Sequence, residues 1–255
     1  MLSVHQLAAF NDNYIHILLD EAAQEGVVID PGDAEPVLQA VAQHGWHLTE
    51  IWATHHHADH VGGAPKLQQK LGLTFSAAGS DARRLAGIDR ALQDGDRLRL
   101  GRYEAQVLAV PGHTSGHLAY WFEDERRLFC GDTLFALGCG RLFEGSADEM
   151  WHSLSRFKNL PGETLVYCAH EYTLANARFA LSVDPGNPAL LKRIEEARAL
   201  RDKGLPTVPF RLDLELETNP FLRADRGEMA KALGLDQAPA EKVFAALRKL
   251  KDDFK

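Results

Sequence analysis

The densest chemistry in the chain lies between Ile51 and Gly63, where His55, His56, His57, Asp59 and His60 fall within six positions. Imidazole nitrogens and carboxylate oxygens are the donors that bind zinc, iron or manganese. The cluster directly follows an apolar run, residues 51–53, that reads as a strand. Alternate side chains of extended backbone share a face, so His55 and His57 project to one side and His56 to the other. A turn into a helix beginning near Val61 brings Asp59 and His60 round to a neighbouring point. A chance match to His-x-His-x-Asp-His in a chain of this composition is on the order of a few in a thousand. The segment is therefore read as a metal site rather than as a solvated loop.

Four donors are too few for two ions at ordinary coordination numbers, even with a shared bridging water. Three more stand at the ends of apolar, strand-like runs: His113 in Val-Pro-Gly-His, Asp132 in Leu-Phe-Cys-Gly-Asp, and His170 in Leu-Val-Tyr-Cys-Ala-His. Strand ends are where layered α/β folds place their sites. Each of the three alone is an ordinary polar turn residue; their shared context sets them apart. His117 begins a strand rather than ending one and reads as a supporting residue, and His5, His16, His44, His47 and His152 read as ordinary histidines. The assignment that satisfies two divalent ions gives His55, His57 and His113 to one, Asp59, His60 and His170 to the other, and Asp132 to both. This donor set does not choose among zinc, iron and manganese. A hydroxide held between two such ions is a nucleophile at neutral pH, and the ions polarise the carbonyl it attacks.

The elements that must position these residues are short. Residues 14–19, 26–29, 51–53, 104–110, 118–122 and 128–130 read as strands bounded by Gly, Asp and Pro. Helical periodicity falls between some of them, at 35–44, 62–71 and 148–159, which predicts a layered α/β structure. Gly101-Arg102 between two strand-like runs is a hairpin turn, so the sheet is not purely parallel. From Tyr172 onward the pattern changes: Leu190, Leu191, Ile194, Ala197 and Leu200 keep helical spacing, and residues 240–251 form a second amphipathic run. Residues 205–220, with three prolines, are expected to be extended. The division expected is a catalytic domain over 1–171 and a mainly helical, substrate-binding domain over 172–255.

Composition narrows the partners. With 45% hydrophobic and 25% charged residues the chain has the balance of a globular protein. A net charge of -8 argues against nucleic acid and anionic membrane as partners, since both need excess positive charge. No apolar run approaches bilayer length, and a cytoplasmic monomer acting on a small molecule is expected. Cys130, Cys139 and Cys168 form no Cys-x-x-Cys and cannot all pair, which fits a reducing compartment and core roles for the thiols.

The run of Thr-His-His-His-Ala-Asp-His, Pro-Gly-His-Thr-Ser-Gly-His, Gly-Asp-Thr and Cys-Ala-His-Glu-Tyr-Thr, in that order, resembles the metallo-β-lactamase superfamily, whose fold is an αββα sandwich. The segments around Asp132-Thr133-Leu134-Phe135, Gly138 to Gly145, Thr218 to Arg223 and Arg248 to Lys255 are similar to the glyoxalase II (hydroxyacylglutathione hydrolase) family, and the similarity spans nearly the whole chain. It implies a C-terminal helical domain and cleavage of S-D-lactoylglutathione to glutathione and D-lactate, completing methylglyoxal detoxification. By the same resemblance Arg141, Phe143, Tyr172, Arg248 and Lys251 contact glutathione. The animal enzymes have lysine and tyrosine at the first two positions; Arg141 keeps the charge and Phe143 loses the hydroxyl. Arg248 and Lys251 suit the two carboxylates of glutathione; without the resemblance they would read as cations complementing the C-terminus of a helix. A thiol pKa of roughly 8.5 makes thiolate a good leaving group, so no strong general acid is needed. One ion stabilises the oxyanion, and Asp59, beyond ligation, can orient the hydroxide.

Three rival functions differ in what they require. A glutathione persulfide dioxygenase of the same superfamily uses one iron and leaves some of these ligands unused. A metallo-nuclease needs a basic, aromatic-rich arm that this acidic chain lacks. A structural metal site saturates its ions with protein donors, whereas this set leaves room for water.

Overall fold

The computed structural model describes residues 2–254. They form two compact units, one running to Ala109 and taking in Thr114–Gly131, the other comprising Val110–His113 and the chain from Asp132 onward.

The first unit contains β1 (Ser3–Ala9), β2 (Asn13–Asp20), β3 (Glu25–Ile29), α1 (Ala34–His44), β4 (Leu48–Trp52), α2 (Ala58–Val61), α3 (Ala64–Leu71), β5 (Thr74–Ala78), β6 (Arg90–Leu92), β7 (Arg97–Leu100), β8 (Tyr103–Ala109), β9 (Leu118–Phe122) and β10 (Arg127–Gly131). Strands β1 to β6 lie side by side in chain order, antiparallel as far as β3 and parallel beyond it. Every residue of β2 is buried, as expected of a strand covered on both faces. Ile15, Ile17 and Leu19 point to the side packed by Val37 and Ala40 of α1 and Ala64 and Leu67 of α3. Asp33 caps α1 through the Glu35 amide, and Gly45 in the left-handed region ends it.

Strands β7 to β10 form an antiparallel meander, with Gly101 at φ 55° in its first turn. Its aromatic face meets the other side of β4: the Trp52 ring lies 5.3 Å from Tyr120 and 6.1 Å from Phe122. The Tyr120 hydroxyl donates to the Ala53 carbonyl at 2.6 Å. Rings of this size dominate the contact between the two sheets and fix the end of β4, where the histidine cluster begins.

The second unit contains the short hairpin β11 (Leu134–Phe135) and β12 (Gly138–Cys139), then α4 (Ala147–Lys158), β13 (Leu165–Cys168), α5 (Thr173–Val183), α6 (Pro188–Arg201), β14 (Phe210–Arg211), α7 (Leu212–Thr218), α8 (Gly227–Ala232) and α9 (Ala240–Asp253). Ser146 and Glu149 form a capping box at the start of α4. Leu137, Ala177, Ala180, Leu190 and Ile194 make a separate small core beneath α5 and α6. Residues 205–220 are not extended throughout, contrary to the sequence expectation, because they include β14, paired with β13, and the helix α7. The prolines explain the difference. Pro206 and Pro209 precede the helix and Pro220 follows it, so the stretch between is free of proline, and Leu212, Glu215 and Thr218 are buried at three-residue spacing. No helix of the described chain is long and apolar enough to cross a membrane.

Candidate metal centre

In the first unit the chain leaves β4 through Ala53 and Thr54 and places four of the candidate donors together. His55 Nε2 is 3.0 Å from His57 Nδ1, the rings of His55 and His60 have centroids 4.0 Å apart, and His60 Nε2 is 3.5 Å from Asp59 Oδ2. His55 and His60 are each 1% exposed. His56 faces elsewhere, 3.5 Å from Asp81, as strand alternation requires.

What orients these rings is a residue outside the sequence motif. Asp30 Oδ2 lies 3.0 Å from His60 Nδ1 and accepts the Thr54 hydroxyl at 2.6 Å, while Oδ1 accepts the Thr54 amide at 2.7 Å. The same Thr54 hydroxyl oxygen is 3.1 Å from His55 Nδ1. One carboxylate thus places the N–H of His60 directly, and that of His55 through one hydroxyl, on Nδ1, and this leaves Nε2 as the basic nitrogen of both rings. Asp30 sits at φ 51°, in the left-handed region that non-glycine residues rarely occupy. Two residues on, a Cβ at Gly32 would fall 1.8 Å from the Asp59 carbonyl oxygen, so glycine is what allows this close approach. Asn13 donates to the Asp59 carboxylate at 3.0 Å and to its carbonyl at 3.3 Å. His117 stacks on His55 with centroids 4.7 Å apart.

In the second unit Asp132 stands between two imidazoles. His113 Nε2 is 3.5 Å from Oδ2 and His170 Nε2 is 3.4 Å from Oδ1. His113 Nδ1 donates to the Arg141 carbonyl at 2.8 Å, which again leaves Nε2 as the basic nitrogen. A Cβ at Gly140 would lie 2.0 Å from the Asp132 carbonyl oxygen, so the hairpin can fold back closely there. Phe143, 62% exposed, sets its ring edge-on to His113 at 5.3 Å. Tyr172 stacks on His170 at 4.7 Å and meets the Phe135 ring edge-on.

The cations read from the resemblance gather in the same unit. Arg141 Nε and Arg248 Nη2 both donate to Asp252 Oδ1, at 3.2 and 3.0 Å. Arg248 is only 6% exposed; its Nη1 donates to the Cys139 carbonyl at 3.0 Å and its guanidinium lies over the Phe221 ring. Lys251 Nζ lies 5.5 Å from the Phe179 ring centroid and 5.7 Å from that of Phe254. Partial burial, with Arg248 and Arg178 nearby, lowers its ammonium pKa below the ordinary lysine value. Burial pushes the Cys139 thiol up to about 11 and the Cys168 thiol higher still, so neither is a thiolate nucleophile at neutral pH.

Each unit therefore brings its own candidates together: His55, His57, Asp59 and His60 in one, His113, Asp132 and His170 in the other. Among the described residues, every set of donors able to hold a metal ion is drawn from these seven. Sequence reasoning missed Asp30, Asn13 and Asp252. Asp30 did carry a signal, since it ends the apolar run of β3 just before Pro31-Gly32, as the other candidates end theirs.

Comparison with known proteins bears on both parts of the chain. Residues 17–170 match the metallo-beta-lactamase superfamily, and residues 171–254 match the hydroxyacylglutathione hydrolase C-terminus. The hydroxyacylglutathione hydrolase of Methylococcus capsulatus is 52% identical over 255 residues, covering 100% of both chains. Among solved structures, the crystal structure of ETHE1 from Myxococcus xanthus is 28% identical with a TM-score of 0.68, covering 99% of this chain and 100% of that one. A di-iron-bound form of TTHA1623 is 26% identical with a TM-score of 0.60, covering 86% and 100%. The mixed α/β sheets with a helical C-terminal part have the metallo-β-lactamase fold.

Proposed function

Because the chain belongs to the hydroxyacylglutathione hydrolases of the metallo-beta-lactamase superfamily, we propose that it hydrolyses S-D-lactoylglutathione to glutathione and D-lactate at a centre of two divalent ions. His55, His57 and His113 would hold one ion, Asp59, His60 and His170 the other, and Asp132 both. The observation that carries this reading is Asp132, whose two oxygens each face a different imidazole, the disposition of a carboxylate shared by two ions. The buried rings with their Nδ1 sides already engaged also fit a metal, which takes a deprotonated nitrogen. Zinc, iron and manganese all suit these donors.

Such ions, when bound, supply a hydroxide at neutral pH and a Lewis-acid contact for the thioester carbonyl. The chain's own residues do the rest. Asp59, fixed by Asn13, orients the attacking group. Phe143 and Tyr172, beside His113 and His170, offer ring faces to the thioester and its cysteinyl stem. Arg141 and Lys251 meet the carboxylates of glutathione, with Arg248 behind them. The leaving thiolate needs no proton in the transition state, so the reaction does not depend on a positioned acid. Tyr172 to the C-terminus is then the substrate-binding part of the chain.

The glutathione side is tested by Arg248→Ala/Lys251→Ala in steady-state hydrolysis of S-D-lactoylglutathione. KM should rise about tenfold or more while kcat stays within about threefold, the signature of lost uniform binding. An unchanged KM would remove these cations from the site.

A further inference from the structure

The turn between β11 and β12 is held by side chains from elsewhere in the chain as well as by the pairing of the two strands. Leu137 at its centre has φ 59°, a conformation that costs a non-glycine residue stability unless its surroundings enforce it. The enforcement comes from the helical part of the chain. Asn219 Nδ2 lies within donor reach of the Phe135 carbonyl at 3.2 Å, the Gly138 carbonyl at 3.0 Å and Glu215 Oε2 at 2.8 Å. Glu215 Oε2 in turn accepts the Leu137 amide at 2.9 Å. The other Glu215 oxygen is paired with Arg193, whose second nitrogen donates to the Thr218 hydroxyl at 3.0 Å. Glu215 and Asn219 are fully buried. A carboxylate in such a place is stable only when paired and fully hydrogen-bonded, so this network is rigid or it is costly.

The clamped turn carries groups on both of its flanks. Phe135 meets the rings of His170 and Tyr172, at 5.9 and 5.3 Å. Cys139, on the strand that leaves the turn, offers the carbonyl that receives Arg248 Nη1 at 3.0 Å. We propose that Glu215 and Asn219 are positioning residues for thioester hydrolysis, which act through the 135–139 turn to fix Arg248 where glutathione binds. The inference rests on the thioesterase reading and adds to it how the substrate side is held. It also gives the C-terminal helices a second task beyond presenting cations, that of templating a strained turn next to Asp132.

The test compares two thioesters in Asn219→Ala: S-D-lactoylglutathione, and S-D-lactoyl-N-acetylcysteamine, which lacks the glutathione carboxylates. Loss of one clamp should raise KM for the first about tenfold, leaving its kcat within about threefold, bound metal unchanged and the second thioester turned over as before. Asn219→Ala/Arg248→Ala should be no worse than Arg248→Ala alone, because Asn219 acts only through the turn that holds the Cys139–Arg248 contact. Should Asn219→Ala fail to fold by circular dichroism, Glu215→Gln, which keeps the shape of the side chain, should show the same split between thioesters. Equal losses on both thioesters, loss of metal, additive effects or no effect would each overturn the proposal. A wild-type protein that hydrolyses neither thioester would instead overturn the thioesterase reading itself.

Discussion

Asp132→Ala is expected to lower kcat/KM for S-D-lactoylglutathione by more than about a hundredfold, since removal of mere outer partners of metal ligands already costs 10 to 100-fold. The size of the effect follows from the position of the carboxylate. Its two oxygens lie 3.5 and 3.4 Å from His113 and His170, so one truncation strips an acidic donor from both candidate ion positions at once. Metal analysis of the purified variant should show fewer ions per chain than in the wild type. Asp132→Asn keeps the volume but exchanges one acceptor oxygen for a donor amide and should behave almost as badly. A variant that keeps its full metal and activity would show that Asp132 is an ordinary strand-end turn residue.

The second large effect is expected at Asp30, which no catalytic motif contains. Asp30→Ala leaves the Thr54 amide, the Thr54 hydroxyl and His60 Nδ1 without the acceptor they share, in a site that is 3% exposed. Each orphaned donor costs about 1–3 kcal/mol, so a fall of several degrees in Tm is expected. Metal affinity should fall 10 to 100-fold, because the rings of His55 and His60 are no longer held in one tautomer. The two effects separate in Asp30→Asn, which restores much of the packing but offers a donor where Thr54 and His60 also donate. It should keep a higher Tm than Asp30→Ala and still bind metal weakly, with activity recovered by excess metal. Metal affinity equal to the wild type in both variants, by competition with a chelator, would show that Asp30 has no part in setting the site.

These two residues also mark how far the sequence can be read. Asp132, like His113 and His170, is visible because it ends an apolar run, and the periodicity that defines the run needs no knowledge of distant contacts. Asp30 ends such a run too. Its importance, however, lies in hydrogen bonds to residues 24 and 30 positions away, which no local pattern encodes. The strands follow the same rule. Buried β9 is a continuous apolar run and β2 is apolar apart from Asn13, His16 and Asp20, whereas β1 is half-buried and carries His5 and Gln6, so its sequence looks like a polar lead-in. The helix α7 is hidden by prolines that lie around it rather than in it. Arg248 is the subtlest case. Its charge and its place in the last helix suggest a cation facing solvent, yet it is buried and tied to Cys139, 109 residues earlier in the chain. That tie joins the 135–139 turn to the last helix.

The most direct test is to load the purified protein with zinc, iron or manganese, count the bound ions, and follow S-D-lactoylglutathione together with free thiol and D-lactate. Equal release of thiol and D-lactate, in proportion to bound metal and abolished by chelation, is the predicted result. A fully metallated protein that leaves the thioester intact would contradict the assignment of these seven residues to thioester hydrolysis.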